Sequence, residues 1–421
     1  MMLPVSRFIA LPASARAVRG GVTSPQGFLA AGVATGVKKR GRLDLGLLMS
    51  AGPSVSAATF TSNAAAAAPV RLTRGESDCA GLRAVVVNAG NANACTGEQG
   101  DKDAARMRAL AAVRLHLPVE QVAVASTGLI GVALPMAKIE PGIDAAAAEL
   151  AASGAAPAGG AEFAAAIRTT DKFAKGGALE LALDGGVVRL GFAAKGCGMI
   201  SPNMATMLCF VTCDADVSAG EWDRVLRGAV AGSFNRISVD GQESTNDMVL
   251  GLCNGASGVK PSEDGLAVLA EALKAALLAL AVAIVADGEG TTHTMRLSVT
   301  GARDAGEAEA VARAVADSPL VKTAFFGRDA NWGRIVQAVG QAVGRSGRSL
   351  PPVQIAFEEL VIVRAGSAVA LDDAGRDRLT AIMDQTEIDL SVVLGGSSGK
   401  ATLFFSDLGH DYVSLNAEYS T

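Results

Sequence analysis

Apolar runs of strand length, separated by helical stretches and Gly-rich turns, constrain this chain more than any other feature of its sequence. Runs 43–49 and 84–88 have the density expected of strands buried on both faces. Between Asn88 and Gly97 lies a loop of small residues, Asn88-Ala89-Gly90-Asn91-Ala92-Asn93-Ala94-Cys95-Thr96-Gly97, rich in groups that bond their own backbone. Residues 101–115 have helical spacing, and 121–125 form a short strand that delivers Ser126-Thr127-Gly128 to a turn. Residues 139–166 read as helix, loosened around 154–160. Residues 179–183 and 187–190, joined by Asp184-Gly185-Gly186, read as a hairpin. Helices over 220–235 and 266–281 follow, the second handing over to a strand that ends at Asp287. Helix and strand then alternate to Leu394, and a last strand pair leads to the C-terminus. The expectation is a mixed α/β fold of packed layers.

Composition narrows the function. With 421 residues, 50% hydrophobic and 19% charged, the chain can bury a large core in two or three domains. Aromatic residues at 4% argue against stacking platforms for single-stranded nucleic acid, and a net charge of −5 offers no basic footprint for phosphates. The apolar run 275–286, fenced by Lys274 and Asp287, is too short to span a bilayer and reads as a buried element. Residues 1–39 contain Arg and Ser but no Asp or Glu, which faintly resembles an organellar transit sequence. They run without a break into the folded-looking Gly21-Val22-Thr23-Ser24-Pro25, and a cytoplasmic protein is expected. The 6 cysteines form no CxxC pair and the 3 histidines lie away from them, so no metal site is expected and the thiols read as reduced.

Two motifs imitate nucleotide-binding loops. Gly196-Cys197-Gly198-Met199-Ile200-Ser201 has serine where the dinucleotide fingerprint needs its third glycine. Gly395-Gly396-Ser397-Ser398-Gly399-Lys400 lacks the leading glycine and trailing hydroxyl of a phosphate loop, and reads as a hairpin tip. His116, His293 and His410 read as surface or satisfied polar residues. A hydroxyl nucleophile in this chain therefore needs a base other than histidine. Cutting the chain just before a threonine supplies one, because the freed α-amine titrates near neutrality and can accept the hydroxyl proton. Ala205-Thr206, approached through Gly196-Cys197-Gly198 and Pro202-Asn203, offers a small preceding residue and little steric cover. On local sequence alone, a turn followed by a buried strand over 207–212 is the better account of the segment.

The run Ala194-Lys195-Gly196-Cys197-Gly198-Met199-Ile200-Ser201-Pro202-Asn203-Met204-Ala205-Thr206-Met207-Leu208 closely resembles the self-cleavage segment of the arginine-biosynthesis ornithine acetyltransferases, or glutamate N-acetyltransferases. The resemblance continues through Gly21-Val22-Thr23, the 88–97 loop, Ser126-Thr127-Gly128, Thr169-Thr170-Asp171 and Ser244-Thr245-Asn246-Asp247. It ends with Asp287-Gly288-Glu289-Gly290, Asn331-Trp332-Gly333-Arg334 and Asn416-Ala417-Glu418-Tyr419.

The resemblance implies an α/β fold of stacked sheets flanked by helices, of the self-cleaving type with an N-terminal threonine nucleophile. Cleavage between Ala205 and Thr206 would give an α chain, 1–205, carrying the oxyanion hole, and a β chain, 206–421, carrying the nucleophile. The two would stay associated, pairing further into a heterotetramer of two α and two β chains. Thr206 would attack the acetyl carbonyl, with Thr127 and Gly128 as the oxyanion hole. Losing one such donor costs about 3 kcal/mol of transition-state stabilisation. Thr169, Lys195, Thr206, Glu289, Asn416 and Thr421 fall where the family binds substrate. By charge complementarity, Lys195 suits an α-carboxylate and Glu289 a substrate ammonium. Without the family, both would read as solvated turn residues.

The activity implied is a bifunctional one, transfer of acetyl from N²-acetylornithine to L-glutamate without a cofactor. Some family members also accept acetyl-CoA. Cys197 departs from the usual serine, Gln242-Glu243 from an Asp and small hydroxyl, His293 from lysine and Val132-Ala133 from a more polar pair. Two rivals remain at this level. One is a self-cleaving aminopeptidase or amidohydrolase, against which the terminal Asn-Ala-Glu-Tyr counts. The other is an oligomeric binding scaffold without catalysis.

Overall fold

The computed structural model describes the chain except residues 154–155, 202–206 and 419–421. It is a mixed α/β protein, and it divides into two compact units. One comprises Met1–Asn235 with Gln242–Ile284, the other Arg236–Gly241 with Val285–Ser420.

In the first unit two sheets face each other. The larger has six strands in the order Ala15–Val18, Lys175–Leu183, Gly186–Lys195, Leu208–Cys213, Met248–Cys253 and Val55–Phe60. The smaller runs Phe28–Val33, Leu45–Ser50, Ala84–Asn91 and Val122–Leu129. Alternation along each strand sends one set of side chains into the space between the sheets. Phe28, Leu48, Val85 and Val87 there meet Ala193, Phe210, Leu250 and Leu252. Phe163, on helix Pro157–Ala166, meets Phe210 edge-on at 5.2 Å. Gly32 admits that helix, since a Cβ there would lie 2.4 Å from the Glu162 carbonyl oxygen.

Outside the smaller sheet, Leu47, Val86 and Val124 pack on Met107 and Ala111 of helix Gly97–Leu115 and on Ile139 and Ile143 of helix Met136–Ser153. Outside the larger sheet lies helix Ala219–Ala231, opened by a Ser218–Glu221 capping box; its Trp222 donates an indole N–H to the Gly251 carbonyl at 3.0 Å. The unit is thus helix, sheet, sheet, helix.

The second unit carries a seven-stranded sheet, in the order Ile237–Ser238, Gly399–Ser406, Thr294–Ala302, Glu387–Leu394, Val353–Phe357, Leu360–Arg364 and Ser367–Ala368. Leu297, Val299, Val392 and Leu403 of this sheet form one core with Val311 and Val315 of helix Ala305–Ala316, Phe325 of helix Pro319–Phe326 and Val339 of helix Trp332–Arg345.

Three expectations need correction. The stretch expected to pass from helix to strand before Asp287 is one helix, Glu263–Ala286, because no glycine or proline interrupts its Ala/Leu run after Gly265. At 24 residues, with an 18-residue window of mean hydropathy 2.3, it is long and apolar enough to cross a membrane, so the shortness inferred for 275–286 does not hold. Leu269, Leu273, Leu277 and Leu280 are buried within the protein, as in a core helix. Finally, the Gly-rich segment after Leu394 is not the tip of a hairpin. The strands it joins flank Thr294–Ala302, which is parallel to one and antiparallel to the other. The Asp184-Gly185 hairpin is present, with positive φ at both turn residues as a tight hairpin requires.

Phe210 joins both sheets and the Phe163 helix, so Phe210→Ala leaves a cavity that none of the three can close. It is expected to destabilise the protein by about 4 kcal/mol, read as a lowered midpoint in thermal or denaturant unfolding.

Candidate active site

The strand Leu208–Cys213 lies centrally in the larger sheet, and its neighbours on both sides bring polar residues to its first residue. Lys195, at the end of one neighbour, pairs with Leu208, as does Met248, which opens the other. Asp247 is therefore level with Met207, and its Oδ1 accepts the Met207 N–H at 2.9 Å. Met207 and Asp247 are both buried. Ala205, Thr206 and Thr421 lie outside the described residues.

The smaller sheet supplies Ser126-Thr127-Gly128 at the end of Val122–Leu129. Two hydrogen bonds tie this turn to the larger sheet. Lys195 Nζ donates to Thr127 Oγ1 at 3.1 Å, and Asn246 Nδ2 donates to the Ser126 carbonyl at 2.9 Å and the Ala92 carbonyl at 2.7 Å. Lys195 is 2% exposed and Thr127 3%, so their bond is made out of water. Lys195 is not the solvated turn lysine that local sequence suggested. Its ammonium has three donors, and this bond occupies one.

Gly128 is a backbone requirement. Its φ is +135°, and a Cβ would stand 2.3 Å from the Gly90 carbonyl carbon and 2.4 Å from the Asn91 nitrogen. The ladder between the two strands shifts register there. Beneath it, the run that read as a self-bonding loop is partly strand and largely buried. Asn88 donates to the Asn91 carbonyl at 2.8 Å and accepts from Ser126 Oγ at 2.5 Å, while Asn91 donates to the Val132 and Ala133 carbonyls.

Thr169 is half-buried, and its N–H donates to Asp171 Oδ2 at 3.0 Å. Asp171 Oδ1 accepts from Lys175 Nζ and from the Gly196 N–H, both at 2.8 Å. Burial alone would push the Asp171 carboxyl up, but the Lys175 and Lys195 charges and these bonds hold it well below the usual carboxylate range. It thereby anchors both the Thr169 turn and the glycine after Lys195. A cleft of about 430 Å³ is lined by Arg42, Leu43, Ala165, Arg168 and Asp171. Lys38, whose Nζ donates to the Leu43 and Ala166 carbonyls, is pushed down to about 7, by burial first and then by Arg42.

Cys197 is buried with its sulfur 2.9 Å from Thr170 Oγ1. Burial and then Asp171 push its thiol up to about 12, which leaves it protonated and a poor nucleophile. The substitution for serine therefore keeps a small neutral group at this point.

The second unit holds the other candidates. Glu289, half-buried, accepts from Asn416 Nδ2 at 2.8 Å. Asn416 lies on helix His410–Glu418, and Gly290 lets that helix approach, since a Cβ there would be 2.6 Å from the Tyr412 nitrogen. His293 is buried and satisfied, with Nδ1 3.1 Å from Asp407 Oδ2 and 2.7 Å from Thr292 Oγ1. His116 and His410 are exposed. Among the described residues no cluster of three or more His, Cys, Asp or Glu could hold a metal ion.

The structure thus joins Thr127 to Lys195, sets Gly128 beside Thr127 and binds Thr169 to Asp171 in one unit. It joins Glu289 to Asn416 in the other. Asn246, Asp247 and Asp171 had been recognised only as parts of matching runs, without roles.

The family model that matches residues 29–421 is that of the ArgJ family. This chain belongs to the ArgJ family. Among ArgJ relatives, the arginine biosynthesis bifunctional protein ArgJ of Symbiobacterium thermophilum is 47% identical over 409 residues, 96% of this chain and 99% of that protein. The glutamate N-acetyltransferase of Methanothermobacter thermautotrophicus is 44% identical, over 96% of this chain and 98% of the relative. A crystal structure of ornithine acetyltransferase from Mycobacterium tuberculosis, complexed with ornithine, is 41% identical with a TM-score of 0.41; the match covers 45% of this chain and 98% of that one.

The Asp171 carboxylate stabilises the fold above its unfolded pKa of about 3.9, and that contribution is lost as pH falls toward its lower folded value. Asp171→Asn, which strips the buried Lys175 of its carboxylate, is expected to cost about 3 kcal/mol at neutral pH. The gap between variant and parent should narrow below about pH 4, as thermal melts across pH would record.

Proposed function

We propose that the chain cuts itself between Ala205 and Thr206 and then transfers acetyl groups from N²-acetylornithine to L-glutamate, as an enzyme of arginine biosynthesis in the cytoplasm. The observation that carries this reading is the meeting of three strand ends at residue 207. Lys195 and Asp247 flank the backbone that follows Thr206, and Thr127, with Gly128 next to it, is bonded to Lys195. The names of the ArgJ relatives support the same reading.

In this mechanism the freed α-amine of Thr206 accepts the hydroxyl proton, and the oxygen attacks the acetyl carbonyl of acetylornithine. Negative charge develops on the carbonyl oxygen, where the Thr127 hydroxyl and the Gly128 N–H stabilise it. The bond from Lys195 fixes the Thr127 hydroxyl oxygen, so its proton points away from Lys195. A remaining Lys195 donor suits the substrate α-carboxylate, and Glu289 with Asn416 suits an ammonium. Ornithine leaves, the acetyl group stays on Thr206 as an ester, and glutamate attacks it to leave as N-acetylglutamate. The protein contributes no metal or bound cofactor to these steps, and acetyl-CoA would enter only as an alternative donor.

The α chain, 1–205, and the β chain, 206–421, would remain together because the cut falls between adjacent strands. Gly186–Lys195 and Leu208–Cys213 keep their antiparallel ladder from Lys195–Leu208 to Leu190–Cys213. We take the working assembly to be two α and two β chains.

Purified protein given acetylornithine and glutamate is expected to form N-acetylglutamate with ping-pong kinetics. Acetate released independently of glutamate would instead mark a hydrolase. Thr206→Ala is expected to abolish both the two-band pattern on a denaturing gel and the transfer; undiminished turnover would refute the proposal. Thr127→Ala, made in the same assay, should lower kcat by about 100-fold through loss of one oxyanion donor.

A further inference from the structure

The chain carries a net charge of −5, yet Lys38-Lys39-Arg40-Gly41-Arg42 puts four cations into five residues. This run lies in the loop between Phe28–Val33 and Leu45–Ser50. The buried Asp44 organises the loop. Its Oδ1 accepts the Thr35 N–H at 2.7 Å and the Thr35 hydroxyl at 2.8 Å, and its Oδ2 accepts the Lys38 N–H at 2.9 Å. A Cβ on Gly90, which pairs with Gly128, would lie 3.2 Å from Lys38 Cγ, so the loop rests against the strand beside the Thr127 turn.

Arg42, from this loop, and Arg168 line the cleft of about 430 Å³. Arg42 Nη2 donates to the Thr169 carbonyl at 2.9 Å, and Arg168 Nη2 to the Asp171 carbonyl at 2.7 Å. One turn thereby fixes both guanidiniums. Each has several donors left, and among the described residues neither meets a carboxylate. Elsewhere in this unit Arg71, Arg106 and Arg114 each hold one. Arg168 Nε has no hydrogen-bond partner among the described residues. Asp171 also lines the cleft, but its oxygens are already engaged by Lys175, the Gly196 N–H and the Thr169 N–H. Two positioned guanidiniums without a counter-charge of their own suit a planar oxyanion.

We propose that Arg42 and Arg168 receive the side-chain carboxylate of the acetyl acceptor and so select glutamate, an assignment that rests on the transfer reaction put forward above. That reaction calls for such a place. Donor and acceptor occupy a ping-pong enzyme in turn, and the side chains of ornithine and glutamate carry opposite charges at neutral pH. Glu289 with Asn416 suits the ornithine ammonium and repels a carboxylate, so the glutamate side chain needs cations of its own. The turn that fixes both arginines carries Thr169, and its Asp171 holds the amide of the residue after Lys195. The cleft therefore adjoins the lysine that suits the substrate α-carboxylate.

The test sets L-glutamate against L-glutamine, its uncharged isostere, as acceptor for purified protein supplied with acetylornithine. The parent should favour glutamate in kcat/KM. Arg168→Met should lower that preference about 30-fold, chiefly by raising KM for glutamate, and Arg42→Met should act in the same direction. Arg168→Lys, which restores a point charge without the fork, should recover part of the preference. A merely structural defect would lower both acceptors together and leave their ratio unchanged. If Arg168→Met does not fold, as circular dichroism would reveal, Arg42→Met decides, because Arg42 is exposed. An unchanged ratio in the folded variants, or a parent that does not distinguish the two acceptors, overturns the proposal alone. A parent that transfers acetyl to neither acceptor overturns it together with the transfer reading.

Discussion

The hydrogen bond from the buried Lys195 ammonium to the Thr127 hydroxyl ties the ends of two different sheets together, and the geometry of the candidate site depends on it. An ammonium taken out of water is tolerated only where carboxylates and other acceptors surround it. Asp171 supplies much of that compensation, and it also holds Lys175 and the amide of Gly196. One carboxylate therefore governs the strand end at Lys195, the turn at Thr169 and the entry to the segment that leads to Thr206. Weakening it would disturb all three together, which is why the cluster is better understood as one unit than as separate ion pairs.

A second constraint is steric. Gly90 and Gly128 face each other across neighbouring strands with positive φ, and a side chain on Gly128 would run into backbone rather than into a movable group. Two chains that approach this closely need small residues and a source of hydrogen bonds other than the regular ladder. The buried asparagines provide them. Asn88 bridges Asn91 and Ser126, Asn91 reaches the carbonyls at 132 and 133, and Asn246 bonds both 92 and 126. At the Val132-Ala133 departure from the family pattern, Asn91 bonds the backbone carbonyls of those two residues, so these contacts do not depend on their side chains.

Much of this layout was legible in the sequence. Dense apolar runs marked the strands at 43–49 and 84–88, because residues buried on both faces leave no polar alternation to obscure them. The 184–186 hairpin was legible from its turn residues. Strand order was not: nothing local reveals that Thr294–Ala302 lies between the last two strands, since that depends on pairing between segments far apart in the sequence. The Glu263–Ala286 helix was cut short because Ala-rich apolar sequence serves a buried helix and a buried strand alike. At the site, Thr127, Gly128 and Lys195 were found through the family resemblance. Asp171 and Asp247 were hidden, because a carboxylate in a polar run reads as solvated until the fold shows which amides and ammonium groups it meets.

The ladder joining Gly186–Lys195 to Leu208–Cys213 has a consequence for how the protein regains its structure after denaturation. In an intact chain, those two strands find each other at a rate independent of concentration, because a short tether keeps them close. Were the tether opened by the proposed cut, the same core would have to be rebuilt from two separate polypeptides, and recovery would become a bimolecular event that dilution defeats. Maturation would thus leave the native contacts in place while making their loss far harder to reverse.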